Sequence, residues 1–241
     1  MTITKEKTIG EIVADDYRTA QIFKKHQIDF CCKGNRSVES VCEKNNIVVD
    51  QLMEEIEGIK VSNDNDVQVY KTWPADLLAD YIEKKHHRYV EEKIPVIVPF
   101  LEKLCKVHGE RHPELFDITA HFKNSATELG AHMKKEELVL FPFIRKMVEA
   151  KQAGKKVEAP HFGTVENPVE MMKHEHDTEG ERFRQIALLS NNYTPPADGC
   201  TTYRVTFAML QEFEEDLHLH IHLENNILFP EALRLEKELR A

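Results

Sequence analysis

The sequence predicts an all-α protein in which a four-helix bundle follows a small helical unit. Only 9 of the 241 residues are glycine, and Glu, Lys, Leu and Ala, which favour helices, are abundant. Long segments repeat apolar residues at helical spacing, and no segment shows the alternation of a half-buried strand. Four long amphipathic helices joined by loops are typical of a four-helix bundle.

The first part of the chain, residues 1–60, is predicted to form three short helices. Thr8 and Glu11 have the spacing of a capping box that begins the first helix. Ser37 and Asp50 are candidate N-caps of the other two. Three short helices bury little apolar surface, so we expect this unit to pack on a partner or on the rest of the chain.

A polar, aperiodic stretch at 61–73 predicts a linker, and 74–241 the bundle. The prolines in the bundle are expected to disturb its helices, because proline lacks an N–H donor. Kinks are predicted at Pro95 and Pro99, and a kink or an end at Pro142 and Pro230. The predicted helices are about 74–108, 114–148, 167–190 and 201–238.

An internal repeat carries the candidate chemistry. His132 and Glu136 recur 88 residues later as His220 and Glu224, and each pair precedes a Leu-Phe-Pro tail. A His and a Glu four residues apart project from the same face of a helix. The apolar positions of both helices place that face in the core. A buried carboxylate without a partner costs several kcal/mol, so the pattern predicts a bound cation.

The other two helices supply further histidines at matching intervals. His87 precedes His132 by 45 residues and His176 precedes His220 by 44. His86 is the neighbouring alternative to His87, and His108 is a further candidate on the first helix. If both glutamates bridge two metals, five imidazoles divide three and two. An oxo or hydroxo bridge would then leave one open position. Imidazole and carboxylate donors suit iron, manganese or zinc, and octahedral-type positions with bridging carboxylates favour iron over tetrahedral zinc.

Composition excludes several other classes of function. A formal net charge of −10 argues against nucleic acid and anionic membranes as partners. The longest apolar run, at 94–101, has 8 residues with two prolines, whereas a membrane span needs about 20. The charged N-terminus lacks the apolar stretch of a secretory signal, so we expect a cytoplasmic protein. Five cysteines, two of them adjacent, fit the free thiols of a reducing compartment.

These signatures together resemble the repair-of-iron-centres family, the YtfE/ScdA iron-sulfur cluster repair proteins, which are hemerythrin-like. Residues 29–34, Asp-Phe-Cys-Cys-Lys-Gly, resemble the short Cys-Cys domain of that family, and the bundle motifs complete the match. The resemblance implies two non-haem iron ions, oxo- or hydroxo-bridged. The ligands that it implies are His87, His108, His132, Glu136, His176, His220 and Glu224.

The resemblance also implies a function. The family restores iron-sulfur clusters damaged by nitrosative or oxidative stress, by donating iron or by a redox activity of the nitric oxide reductase type. Damaged iron-sulfur proteins and small molecules such as NO or O2 are the partners that the resemblance implies, and a homodimer is the expected assembly.

Two questions stay open at the level of the sequence. Cys31 and Cys32 are either redox thiols, presented by a turn at Gly34, or two small buried apolar residues. The alternatives to repair are a hemerythrin-like protein that reversibly binds or senses O2 or NO, and a zinc-stabilised structural bundle.

Overall fold

The computed structural model describes residues 3–61 and 70–240. These residues are helical and contain no strand, although Thr8 and Ser37 form an isolated bridge. Most of the predicted linker at 61–73 lies outside the described residues. Within the described ranges, no helix is long and apolar enough to cross a membrane.

The N-terminal unit begins with the predicted capping box. The Thr8 side chain accepts a hydrogen bond from the Glu11 N–H at 3.2 Å, and the Glu11 carboxylate accepts one from the Thr8 N–H at 3.0 Å. The helices of this unit are α1 (Ile9–Asp15), α2 (Ala20–Lys25), α3 (Val38–Asn45) and α4 (Val49–Val61), with a 3-10 turn at Tyr17–Thr19.

Two details of this unit differ from the prediction. The first predicted helix is split at Asp16, which is extended (φ −155°), and its carboxylate accepts a hydrogen bond from the Arg18 N–H at 3.1 Å. This local bond caps the following turn, which explains the split. Asp50 is not an N-cap. It lies in the first turn of α4, where its charge still favours the positive end of the helix dipole.

Four long helices form the bundle, and their bounds lie close to the predicted ones. Bundle helices 1, 2 and 4 each contain one wide turn of π-helix, whereas bundle helix 3 is regular. Bundle helix 1 comprises α5 (Ala75–Tyr81), the π turn Ile82–His87 and α6 (Arg88–His108). Bundle helix 2 comprises α7 (Glu114–Lys135), the π turn Glu136–Leu140 and α8 (Phe141–Gln152). Bundle helix 3 is α9 (Glu166–Leu189), and bundle helix 4 comprises α10 (Thr201–Leu223), the π turn Glu224–Leu228 and α11 (Phe229–Arg240).

The prolines of the repeat do not end their helices. Pro142 and Pro230 each follow a π turn closed by a hydrogen bond from the preceding phenylalanine N–H to the carbonyl of Glu136 or Glu224. Proline cannot donate the next α-helical bond, and a wide turn at this point lets the helix continue past it. Pro95 and Pro99 lie inside α6, which continues through both.

The core consists of two apolar clusters, one on each side of the middle of the bundle. The first combines the N-terminal unit with one end of the bundle, and the second fills the other end. In bundle helix 2, for example, Met133 belongs to the first cluster and Leu140 to the second. The repeated His and Glu side chains lie between the two.

The N-terminal unit packs directly on the bundle through the loop at 29–34. Asp29 forms an ion pair with Arg184 at 3.0 Å, and the Asn226 amide donates to the Phe30 carbonyl at 3.3 Å. Gly34 does not present the cysteines to solvent. Its carbonyl accepts a hydrogen bond from the Gly10 N–H at 2.7 Å, which closes the loop against α1.

Candidate metal centre

Six of the seven predicted ligands meet in the middle of the bundle. Each is at most 3% exposed. Together they supply four imidazoles and two carboxylates from all four bundle helices. The six residues are His87, His132, Glu136, His176, His220 and Glu224.

These side chains form two overlapping groups. The first contains His87 and His220, the second His132 and His176, and both groups contain both glutamates. Within each group the potential ligand atoms lie within 4.8 Å of one another. Glutamates common to two groups have the arrangement of bridging ligands. Each position therefore has four protein donors, where the sequence predicted five and four.

Every imidazole of the centre directs its Nε2 atom at a carboxylate. An imidazole with its Nε2 inward and its Nδ1 outward can bind a metal on one side and donate a hydrogen bond on the other. The Nε2–carboxylate oxygen distances are 3.4 Å for His87 and His132 to Glu136, and 3.1 Å for His176 and 3.0 Å for His220 to Glu224.

Several polar atoms at the centre of this cluster have no hydrogen-bond partner among the described residues. They are His87 Nε2 and both carboxylate oxygens of Glu136. Buried polar atoms are almost always paired, and two buried carboxylates need compensating positive charge. A cation bound by these atoms satisfies both requirements, so the residues fit the predicted metals.

Without a cation, protons partly fill this role. Burial lowers the pKa of His176, but the Glu224 carboxylate outweighs burial and raises this pKa to about 9. Burial alone would raise the pKa of Glu224, whereas its His220 and His176 neighbours lower it well below the usual value. His176 and Glu224 therefore form a buried ion pair in the metal-free protein, and a metal must displace the His176 proton.

His108 is placed away from the cluster. It ends α6, and the 21 residues from His87 correspond to about 31 Å of helix. Its Nε2 lies 3.3 Å from the Cys200 sulfur, and its ring packs edge-on against Tyr203. Helical spacing places His108 on the same stripe as His87, but a stripe does not show how far along the helix a site extends.

Three residues outside the ligand set orient the histidines. The Nδ1 of His87 lies 3.0 Å from Glu137, the Nδ1 of His132 lies 2.8 Å from Glu175, and the Nδ1 of His176 lies 2.9 Å from the Asn225 amide oxygen. Such acceptors fix the tautomer that leaves Nε2 free and make the imidazole a stronger ligand. Glu137, Glu175 and Asn225 were not identified as functional from the sequence.

The repeat itself contained a signal for two of them. Glu137 and Asn225 directly follow the repeated glutamates, and each contacts a histidine of a different helix. The phenylalanines of the repeated tail are likewise equivalent. Phe141 stacks on His87 with ring centroids 5.7 Å apart, and Phe229 stacks on His176 at 5.9 Å. The two halves of the bundle are therefore related by an approximate two-fold repeat.

Each π turn of the described bundle helices contains a residue of the centre. His87 is the last residue of the first turn, and Glu136 and Glu224 are the first residues of the other two. A wide turn inserts a residue into the helical register, and such turns occur frequently at functional sites.

The Cys31–Cys32 pair lies beside the cluster, with its sulfur atoms 3.7 Å apart. Cys31 is buried and Cys32 is half-buried. The Cys32 thiol and burial raise the pKa of Cys31 well above its usual value. Asn225 donates to the Cys31 carbonyl at 3.2 Å and accepts from His176, which connects the cysteine loop to one ligand. Asp29, Cys31 and Cys32 also form a potential three-ligand group.

Buried imidazoles from four helices, together with two buried carboxylates that both groups share, define a cation-binding helical bundle. In agreement, residues 78–232 match the family model described as the hemerythrin HHE cation binding domain. Residues 5–60 match a model described as a domain of unknown function, DUF542.

The relatives of the whole chain are more specific. It is 33% identical over 235 residues to the iron-sulfur cluster repair protein YtfE of Musicola paradisiaca, which covers 96% of this chain and 98% of the relative. It is 31% identical over 232 residues to the proteins of the same name from Yersinia pestis and Yersinia pseudotuberculosis, covering 96% of this chain and 99% of each relative. The chain belongs to the family of the iron-sulfur cluster repair protein YtfE.

Proposed function

We propose that this chain is a di-iron protein that repairs iron-sulfur clusters damaged by nitrosative or oxidative stress. The observation that carries the proposal is the pair of four-residue groups that have both Glu136 and Glu224 in common. Two sites that share bridging carboxylates fit a pair of metal ions better than one ion. Four nitrogen and two carboxylate ligands suit iron, which accepts mixed imidazole and carboxylate donors.

Each residue has a defined role in this proposal. His87 and His220 would hold one iron, His132 and His176 would hold the other, and Glu136 and Glu224 would be common to both. An iron pair would supply redox chemistry and iron that can be exchanged. Four protein donors per ion leave room for exogenous ligands on both, where the sequence predicted a single open position.

The names of the relatives support repair as the function. Two routes fit the site: donation of iron to a damaged cluster, and reduction of nitric oxide by the di-iron centre. The ligand set supports donation. Reduction lowers the charge of each iron and weakens its bonds to hard oxygen donors, and the site has only two carboxylates to retain the iron. We propose that iron is the cargo and that damaged iron-sulfur proteins are the partners.

The cysteine pair is proposed to take part in the transfer. Its position beside the His176 ligand, and the Asp29 carboxylate within reach of both thiols, support a transient site for iron. Because the pKa of Cys31 is raised, this thiol keeps its proton near neutral pH. An incoming metal ion would therefore have to displace that proton in order to bind the sulfur.

Two experiments test this function. Elemental analysis and Mössbauer spectra of protein purified without added metal should show about two irons per chain, as in di-iron carboxylate bundles. The reduced protein, mixed with an apo-ferredoxin and sulfide, should then lose iron as the ferredoxin gains a cluster. Retained iron and no cluster formation would reject donation, and zinc in place of iron would indicate a structural bundle.

Reversible binding or sensing of O2 or NO is the second candidate. The room that four protein donors leave at each ion favours it. A stable, reversible spectral change that is the same in a Cys31→Ser, Cys32→Ser double variant would support this reading over repair. We also propose NO and O2 as small-molecule ligands of the centre. We propose a homodimer as the assembly, and sedimentation would test this oligomeric state.

A further inference from the structure

One outer contact to a ligand histidine is present in one half of the approximate repeat and missing from the other. In one half, Glu175 precedes the ligand His176 and contacts His132 on bundle helix 2. In the other half, His86 precedes the ligand His87 and packs on His220 of bundle helix 4. His86 thus occupies the place that a carboxylate occupies in the other half.

The contact that His86 makes cannot replace the missing one. Its ring stacks on His220 with centroids 5.6 Å apart and planes inclined by 15°, a geometry that contains no hydrogen bond. The Nε2 atom of His86 and the Nδ1 atom of His220 are both buried and find no partner among the described residues. Of the four ligand histidines, His220 is therefore the one whose outward nitrogen has no acceptor within the described part of the chain.

The two metal positions consequently differ in how many of their histidines have a hydrogen-bond acceptor at Nδ1. At one position, Glu175 holds His132 and Asn225 holds His176. At the other, Glu137 holds His87, and no described acceptor holds His220. Loss of such an outer contact typically weakens metal binding about 10- to 100-fold.

We infer that the two positions bind metal unequally, and that the His87–His220 position releases its metal first because His86 replaces a carboxylate there. This inference rests on the proposed di-metal centre. It deepens that proposal by naming which of the two ions is the exchangeable one.

His86 also contacts a residue that lines a nearby pocket. Its Nδ1 lies 3.0 Å from Asp216, and Asp216 lines an open pocket of about 540 Å³ between the N-terminal unit and the bundle. The imidazole of His86 therefore lies between His220, the ligand without an outer acceptor, and Asp216 in the pocket wall.

Release of ferrous iron to a colorimetric chelator, without oxygen, tests the inference on the whole chain. The wild-type protein loaded with two irons should show two phases of equal amplitude, with rates about 10- to 100-fold apart. In His86→Gln, the amide can donate to Asp216 and accept from His220, so the fast phase should slow towards the slow one while the slow phase stays unchanged.

Glu175→Ala provides the matched variant in the other half. The Glu175 side chain is 30% exposed, so its removal leaves the core intact even if His86→Gln fails to fold. This variant should accelerate only the slow phase. A single release rate in the wild type, or acceleration of the fast phase by Glu175→Ala, would overturn the inference.

These outcomes are separable from failure of the proposed function. A chain that binds fewer than two irons contradicts the di-iron proposal itself. A chain that binds two irons and releases them at one rate leaves that proposal intact and rejects only the inequality of the positions.

Discussion

The thiol of Cys32 donates a hydrogen bond to the main-chain carbonyl of His176 at 3.3 Å. A residue of the N-terminal unit therefore contacts the backbone of a residue in the proposed metal centre. The contact requires a close approach of the loop to α9, and Gly180 permits it because its missing side chain faces the Cys32 sulfur.

Gly180→Ala should disturb this approach. A Cβ atom at residue 180 would lie 2.9 Å from the Cys32 sulfur, which would have to move. Replacing glycine inside a helix normally stabilises by about 1 kcal/mol, whereas overpacking costs about 1–3 kcal/mol. We expect no net gain in the free energy of unfolding and faster alkylation of Cys32.

Gly130→Ala is the control for that substitution. Gly130 also lies inside a long helix, but a Cβ atom there meets nothing within 4 Å. Urea unfolding should show a gain of about 1 kcal/mol and unchanged alkylation. Equal gains in the two variants would show that the contact between Cys32 and α9 is unimportant.

Loss of a bridging glutamate should affect both metals. Glu136 and Glu224 belong to both ligand groups, so Glu136→Ala or Glu224→Ala should reduce the iron content from about two to nearly none. His87→Ala should affect one position more than the other. His108→Ala, at the far end of α6, should retain both irons, and metal analysis of the four variants separates these outcomes.

Metal affinity should increase with pH. Despite burial, Glu224 raises the pKa of His176 to about 9, so the metal-free protein binds a proton there that the metal must displace. Below pH 9, the apparent affinity of this position should fall by about tenfold per pH unit. Competition with a chelator at several pH values measures this slope, and a flat profile would show that His176 is neutral before metal binds.

Asn225 should couple the cysteine loop to the metal centre. It contacts the Cys31 carbonyl and the His176 ring through opposite ends of its amide. Asn225→Leu preserves volume but removes both bonds, so we expect about 10- to 100-fold weaker binding of one metal. Asn226→Leu removes a neighbouring contact to the same loop without touching a ligand. Asn226→Leu should leave metal affinity unchanged. If both variants lost the same metal affinity, the loss would come from disturbing the cysteine loop and not from the contact with His176.

The sequence predicted the four bundle helices and most of the centre for a physical reason. Helical periodicity identifies buried faces, and a His and a Glu on such a face require compensation. It could not identify Glu175, because the His132 partner of Glu175 lies on another helix and no local pattern encodes that contact. His108 shows the same limitation, since periodicity places it on the correct face but not at the correct depth in the bundle.

The split of the first predicted helix had a different cause. Asp16 interrupts it through a hydrogen bond between its own carboxylate and a nearby main-chain N–H. Such a bond competes with helix formation at short range and leaves the apolar spacing unchanged. The helical spacing of apolar residues in the N-terminal segment therefore continues past Asp16, although the helix itself ends there.

The π turn at Glu136–Leu140 also fixes the phase of the helix that follows it. Winding the same residues as regular α-helix would rotate α8 by about 100° relative to α7. Phe141 and Ile144, now fully buried, would then turn away from the core. The wide turn therefore absorbs one residue, and it is as necessary to the packing downstream as to the ligand that begins it.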